Sequence, residues 1–99
     1  MSFIQIIEVT TTHVGEIQEI VDNWIVKTEG KRKAQAAKLT QDRDRPNTYL
    51  QIVEFPSYEA AITNAELPET GDFAQQLATL CDDPPIFRNL EVRHIFDLV

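Results

Sequence analysis

Two segments, Phe3–Val9 (Phe-Ile-Gln-Ile-Ile-Glu-Val) and Thr48–Phe55 (Thr-Tyr-Leu-Gln-Ile-Val-Glu-Phe), are apolar at both of their alternating sets of positions. Short, β-branched and without helical spacing, each reads as a strand. Successive side chains of a strand point to opposite faces. Ile4 and Ile6 with Leu50 and Ile52 therefore form one face, and Phe3, Gln5, Ile7 and Val9 with Tyr49, Gln51, Val53 and Phe55 form the other. A sheet built on such strands leaves neither face to bulk water, so it requires a covering layer on each side.

The rest of the chain supplies one such layer. Val14, Ile17, Ile20, Val21 and Trp24 recur at three- and four-residue steps, which predicts an amphipathic helix over 13–28, with Thr12 as its cap and Gly30 as its stop. Lys33–Gln41 and Thr48–Phe55, joined by the turn-prone Asp42–Asn47, read as a hairpin. Ser57 offers an N-cap to a short helix over Tyr58–Asn64, with Asn64 as its C-cap. Pro68, Thr70 and Gly71 interrupt the pattern before Phe73, Leu77, Leu80 and Cys81 define a further helical stripe. Phe87–Leu98 alternates as a last strand, with Leu90, Val92, His94 and Phe96 on one face.

The order β-α-β-β-α-β points to an α+β, ferredoxin-like domain: a four-stranded antiparallel sheet with both helical segments on one face. The 99 residues form a single domain over 1–99. The other sheet face, taken as the side bearing Phe3, Gln5, Gln51 and Val53, finds no third layer in the chain. A second copy packed sheet against sheet is the simplest cover, giving a homodimer.

Charge and composition exclude several classes of function. Nine Lys and Arg against sixteen Asp and Glu give a net charge of −7, which disfavours nucleic acid and anionic membranes as partners. The lone Cys81 rules out an intrachain disulfide framework and fits a reduced, cytoplasmic location. No secretory signal or membrane span is read, and the two histidines lack metal-ligand spacing, so no metal site is expected. With three glycines and neither a Walker loop nor a Gly-x-Ser-x-Gly elbow, nucleotide-driven and elbow-serine chemistry are disfavoured.

The candidate site residues are polar groups in apolar surroundings. Gln5 and Gln51 lie mid-strand on strands expected to be adjacent and parallel, where the two amides either orient a small ligand or bond to each other or across a dimer. Tyr49 adds a phenol to the same wall or packs at a subunit contact. His94, between Val92 and Phe96, is either a neutral proton acceptor or a hydrogen-bonded interface residue. Trp24 belongs to the helix stripe and reads as core. Cys81, near a helix C-terminus and followed by Asp82 and Asp83, is a poor nucleophile.

The element order, with Tyr49-Leu50-Gln51-Ile52-Val53-Glu54-Phe55-Pro56-Ser57-Tyr58-Glu59-Ala60-Ala61 running into Leu67-Pro68-Glu69-Thr70 and Phe73, resembles the dimeric α/β-barrel superfamily, in particular antibiotic-biosynthesis-monooxygenase-like domains. The resemblance spans essentially the whole chain. It implies a homodimer with facing sheets and a pocket between sheet and helices in each subunit. It further implies cofactor-free oxygenase activity on a small aromatic or phenolic compound, with Gln51, Tyr49, Asn64 or His94 as candidate contacts. Where the haem-degrading branch carries Asn, Trp and His, this chain has Ile7, Phe55 and Leu77, so haem chemistry is not expected. The alternative is a non-catalytic ligand-binding or interaction module with a packed dimer core.

Overall fold

The computed structural model describes residues 2–99. In chain order the elements are β1 (Phe3–Thr10), α1 (Val14–Lys27), β2 (Ala36–Gln41), β3 (Thr48–Phe55), α2 (Tyr58–Ala65), α3 (Pro68–Thr79) and β4 (Ile86–Glu91). The strands form one sheet in the order β2-β3-β1-β4, and every neighbouring pair is antiparallel. This is the ferredoxin-like βαββαβ fold, with the second helical segment split in two.

The expectation that the first and third strands run parallel is corrected by the register. A hairpin reverses β3 relative to β2, and β2 runs with β1, so β3 must oppose β1. Gln5 consequently sits across from Val53, and Gln51 across from Ile7. The two amides are diagonal neighbours on one face rather than side by side.

The covered face is also the reverse of the one expected. Phe3, Val53 and Phe55 are buried with Ala61 of α2, whereas Ile7 and Val9 are buried with Ile17 of α1 and Leu77 of α3. The helices thus take the side bearing Gln5 and Gln51. The opposite side, with Ile4, Ile6, Leu50 and Ile52 only half-buried and Ile86 and Leu90 exposed, has no covering layer among the described residues. Both sets of side chains are apolar, so alternation alone did not say which set the helices would choose.

Several boundaries shift for identifiable reasons. α1 begins after His13, and the buried Thr11, rather than Thr12, organises its start. The Thr11 hydroxyl accepts from the His13 backbone N–H and donates to the Leu80 carbonyl, tying β1, α1 and the end of α3 together. Pro68 does not interrupt a helix but opens one, since a proline at the first helical position loses no intrahelical bond. Ser57 caps α2 by accepting from the Ala60 N–H at 3.1 Å. The C-cap of α2 is Glu66 and not Asn64, which lies in the last turn with its side chain buried. β4 ends at Glu91 because its only neighbour, β1, begins at Phe3; one more bond, Val92 N–H to Ser2 C=O at 3.0 Å, closes the ladder. Residues 93–99 continue without strand pairing.

The second hairpin strand is entered through a charged turn. Asp42 accepts from the Asp44 N–H at 2.9 Å and from Arg45 Nε at 3.0 Å, and Asn47 takes the left-handed conformation, φ 61°, that asparagine tolerates. Arg45 and Arg88 both reach Glu8, at 3.4 and 3.1 Å. The turn, largely exposed, thus contributes to an ion cluster at one end of the uncovered face. The Arg88 hydrogen bond, with Arg45 nearby, holds the Glu8 carboxyl below its ordinary range.

Ile17 is 1% exposed and belongs to the larger cluster. Ile17→Ala is expected to lower unfolding stability by about 2–5 kcal/mol. Denaturant titration with an unchanged m-value would establish that the loss is one of packing.

Candidate substrate cavity

The buried core is not continuous. Its two clusters, one under α2 and one under α1 and α3, share no buried residue. Between them lies a cavity of about 200 Å³ whose walls draw on both: Val53 and Phe55 from the first, Ile7 and Leu77 from the second. Gln5, Ala37, Gln51 and Phe87 complete the sheet side; Val21, Trp24 and Ile25 come from α1, Asn64 and Ala65 from α2, and Thr70, Gly71, Phe73 and Ala74 from α3. Ile25, Ala37, Ala65, Ala74 and Phe87 are exposed, so the cavity communicates with solvent.

Three of the five residues singled out from the sequence line this cavity. Gln5 donates from Nε2 to Asn89 Oδ1 at 3.3 Å, its cross-strand neighbour on β4. Gln51 is 8% exposed, and among the described residues its side-chain amide makes no hydrogen bond. Asn64, also buried, accepts the Lys33 backbone N–H on Oδ1 at 2.9 Å, which pins the α1–β2 connection to α2.

The other two lie elsewhere. Tyr49 packs against the cluster of Ile7, Val9, Ile17 and Leu77. His94 falls beyond β4, exposed, with its ring edge-to-face on Phe96 at 4.5 Å.

Two cavity residues differ from what the sequence predicts. Trp24 is half-buried rather than core; its indole Nε1–H donates to Thr70 Oγ1 at 2.9 Å, bridging α1 and α3, and its ring lies 6.4 Å from that of Phe73. Thr70, which the sequence places in a helix break, lies within a helix. Its place in the first turn of α3, facing Trp24, depends on the crossing of two helices far apart in sequence, and periodicity carries no signal of that.

Electrostatically the cavity is neutral. None of its lining residues is ionisable near neutral pH. The positions Ile7, Phe55 and Leu77 all contribute apolar side chains, so the wall offers no imidazole for a haem iron. Cys81 lies outside, and burial, with Asp82 beside it, pushes its thiol up and keeps it protonated. Among the described residues, no cluster of three or more His, Cys, Asp and Glu is placed to hold a metal ion, and no helix is long and apolar enough to cross a membrane.

The ferredoxin-like fold, a four-stranded antiparallel sheet with helices on one face, is shared with solved structures described as antibiotic biosynthesis monooxygenases. A variant of SnoaB, described as a cofactor-independent oxygenase from Streptomyces nogalater, matches with a TM-score of 0.79 at 15% identity over 95% of each chain. A Caulobacter crescentus protein, provisionally named an antibiotic biosynthesis monooxygenase, matches with a TM-score of 0.79 at 9% identity, covering 94% of this chain and 91% of the other. A conserved protein from Methanosarcina mazei matches with a TM-score of 0.78 at 10% identity, over 91% of each chain. At such identities the likeness is one of fold. No family model and no curated protein sequence matches the chain.

The Gln51 amide has no hydrogen-bond partner among the described residues, but its polar atoms face a solvent-connected cavity and are not sealed from water. Gln51→Leu is therefore expected to change unfolding stability by less than about 1 kcal/mol, measured by denaturant titration. A larger loss would mean that the amide is satisfied within the protein.

Proposed function

We propose that this chain is a cofactor-independent oxygenase acting on a small aromatic or phenolic compound within a homodimer. The observation that carries the reading is the apolar cavity with the unpartnered Gln51 amide in its wall. It is supported by the fold shared with SnoaB, which is described as a cofactor-independent oxygenase. The roles of Gln5, Gln51 and Asn64 as substrate contacts belong to this proposal; Tyr49 and His94, outside the cavity, make no substrate contact on the same reading.

The chemistry needs no flavin, metal or haem if the substrate is its own reductant. A phenolate transfers an electron to dioxygen, and recombination of the two radicals forms a C–O bond to give a hydroperoxide. Loss of water then leaves a quinone. One oxygen atom enters the product, the other leaves as water, and both electron pairs come from the substrate. The cavity's part is to bind the ring, exclude bulk water and hold the reactive carbon where oxygen reaches it.

A second reading, a non-catalytic ligand-binding module, is favoured by one specific observation: no ionisable side chain lines the cavity to take the substrate proton. Oxygen-electrode assays against phenols and hydroquinones, with no added flavin or metal, distinguish the two. Oxygen consumption that matches quinone formation one to one is expected. Binding of such compounds without oxygen uptake would establish the ligand-binding module instead.

The homodimer is assigned to the uncovered sheet face. Ile4, Ile6, Leu50, Ile52, Ile86 and Leu90 form an apolar surface there, and the charges at its end are already paired within the chain. Asp42 and Glu8 offset Arg45 and Arg88, so covering this end strands no unpaired charge. A second copy with the same surface meets both requirements. Its location is assigned to the cytoplasm, in keeping with the single cysteine. Light scattering is expected to give twice the 11.3 kDa chain mass, and Ile6→Lys, at the centre of the face, to give the monomer. A monomeric wild-type protein at micromolar concentration would exclude the dimer.

A further inference from the structure

The uncovered sheet face carries a charge pattern as well as an apolar centre. Strand register places Lys38 of β2, Ile52 of β3, Ile6 of β1 and Arg88 of β4 in one row across the sheet. Their side chains share the open face, since a neighbouring residue on each strand, such as Ala37 beside Lys38, lines the cavity on the other. Two carboxylates complete the pattern. Glu54 stands two residues from Ile52 toward one end of the face, and Glu8 two residues from Ile6 toward the opposite end. A half-turn about the centre of the face thus exchanges Lys38 with Arg88 and Glu54 with Glu8.

Only half of these charges are matched within the chain. Glu8 accepts from Arg88 at 3.1 Å and from Arg45 at 3.4 Å. The side chains of Lys38 and the half-buried Glu54 form no ion pair among the described residues. A layer laid over this face must therefore supply a cation for Glu54 and an anion for Lys38, because a covered charge without a partner is strongly unfavourable.

A second copy supplies both, in one orientation only. The two-fold axis relating two stacked sheets lies in the plane between them. An axis along the strands lays Lys38 over the partner's Arg88, and an axis across the strands lays it over the partner's Lys38. Both aligned arrangements stack like charges. An axis along a diagonal crosses the strands at about 90°, the orthogonal class of sheet packing, and turns the row of one sheet along the strands of the other. The face is about 14 Å in each direction, from three strand spacings of about 4.8 Å and four residue rises of about 3.4 Å. The cations that end each row consequently arrive over the ends of the partner's β1 and β3, where Glu8 and Glu54 stand. Of the two diagonals, one brings Lys38 to Glu54 and Arg88 to Glu8; the other sets Lys38 on Glu8, which is already bound by two arginines.

We infer that the second copy docks on the open face with its strands crossed, held in register by two reciprocal ion pairs between Lys38 of one copy and Glu54 of the other, around a centre of Ile6 and Ile52 from both. This rests on the homodimer proposed above, and adds its geometry and the residues that select it.

Charge reversal reads the arrangement by its sign. Dimer dissociation is followed by sedimentation equilibrium on the full chain, with circular dichroism reporting the fold. Lys38→Glu is expected to raise the dissociation constant about tenfold or more, since it sets two carboxylates together at each contact. Glu54→Lys is expected to do the same, although it lessens the net charge of −7 and with it the general repulsion between copies. The double variant, Lys38→Glu with Glu54→Lys, is expected to return to within about threefold of wild type. On the wild-type protein, a carbodiimide that couples amines to carboxylates is expected to give a covalent dimer joined between Lys38 and Glu54.

A dimer that Lys38→Glu leaves unchanged or tightens overturns the inference, tightening being the mark of an aligned arrangement in which Lys38 faces a cation. So does the absence of the Lys38–Glu54 link after carbodiimide treatment, and that measurement decides alone if the single variants do not fold. The homodimer survives either result. A wild-type protein that is monomeric at micromolar concentration removes the homodimer itself, and the inference with it.

Discussion

The alternation of β1 is the constraint from which the rest of the architecture follows. This strand is paired on both sides, to β3 and to β4, so its backbone is fully committed to the sheet. Its side chains are then divided strictly by parity. Phe3, Ile7 and Val9 enter the two buried clusters beneath the helices, and Ile4 and Ile6 go to the open face. A slip of one residue would exchange the two sets and carry the Glu8 carboxylate, now bound by Arg45 and Arg88, under the helices. An unpaired charge there is far more unfavourable than an apolar side chain at the open face. Charge placement, more than hydrophobicity, distinguishes the two faces of this strand.

The same parity creates the cavity. Protein interiors ordinarily close to the density of a molecular crystal, and a void of 200 Å³ persists only where the walls cannot move together. On the sheet floor, Gln5 and Gln51 interrupt the apolar rows between Phe3 and Ile7 on β1 and between Tyr49 and Val53 on β3. Collapse of the helices onto this floor would seal the Gln51 amide away from every partner. From above, the Trp24–Thr70 bond braces α1 against α3, and the Asn64–Lys33 bond holds α2 against the segment that leads into β2. The polar groups that line the space are therefore also the groups that keep it open. This explains how so small a chain sustains both a divided core and a stable sheet.

How much of this was legible in the sequence depends on the range of the interaction. The positions of β1, β2 and β3 and the helical stripe of α1 follow from local period, and the sequence places them to within a few residues. The antiparallel β1–β3 pairing was implicit in the element order, since a hairpin after a crossover leaves no other sense for the third strand. The face under the helices was not legible from hydrophobicity, because both sets are apolar; Glu8, on the even-numbered side, was the residue that could have decided it. The end of β4 depends on where β1 begins, and the alternation from Val92 to Phe96 carries no information about whether a neighbour exists. For Asn64 the position near the end of α2 was correct and the role was not: its partner is a backbone N–H thirty-one residues upstream. Trp24 has the same spacing whether it fills a core or faces a cavity, and only the crossing of α1 and α3 decides which.

A neutral cavity also assigns the work of proton transfer. In many active sites a perturbed carboxylate or imidazole sets the pH at which the reaction runs. Here no such group lines the wall. On the proposed reading, hydrogen-bond donors in the wall favour the ionised form of a bound phenol over its protonated one, and so lower its pKa. The proton then leaves through the solvent-connected side of the cavity. On the proposed reading, the acidity of the substrate, shifted downward by these donors, replaces a catalytic base. An electron-rich ring would already be a phenolate when oxygen arrives, which is the state from which electron transfer begins.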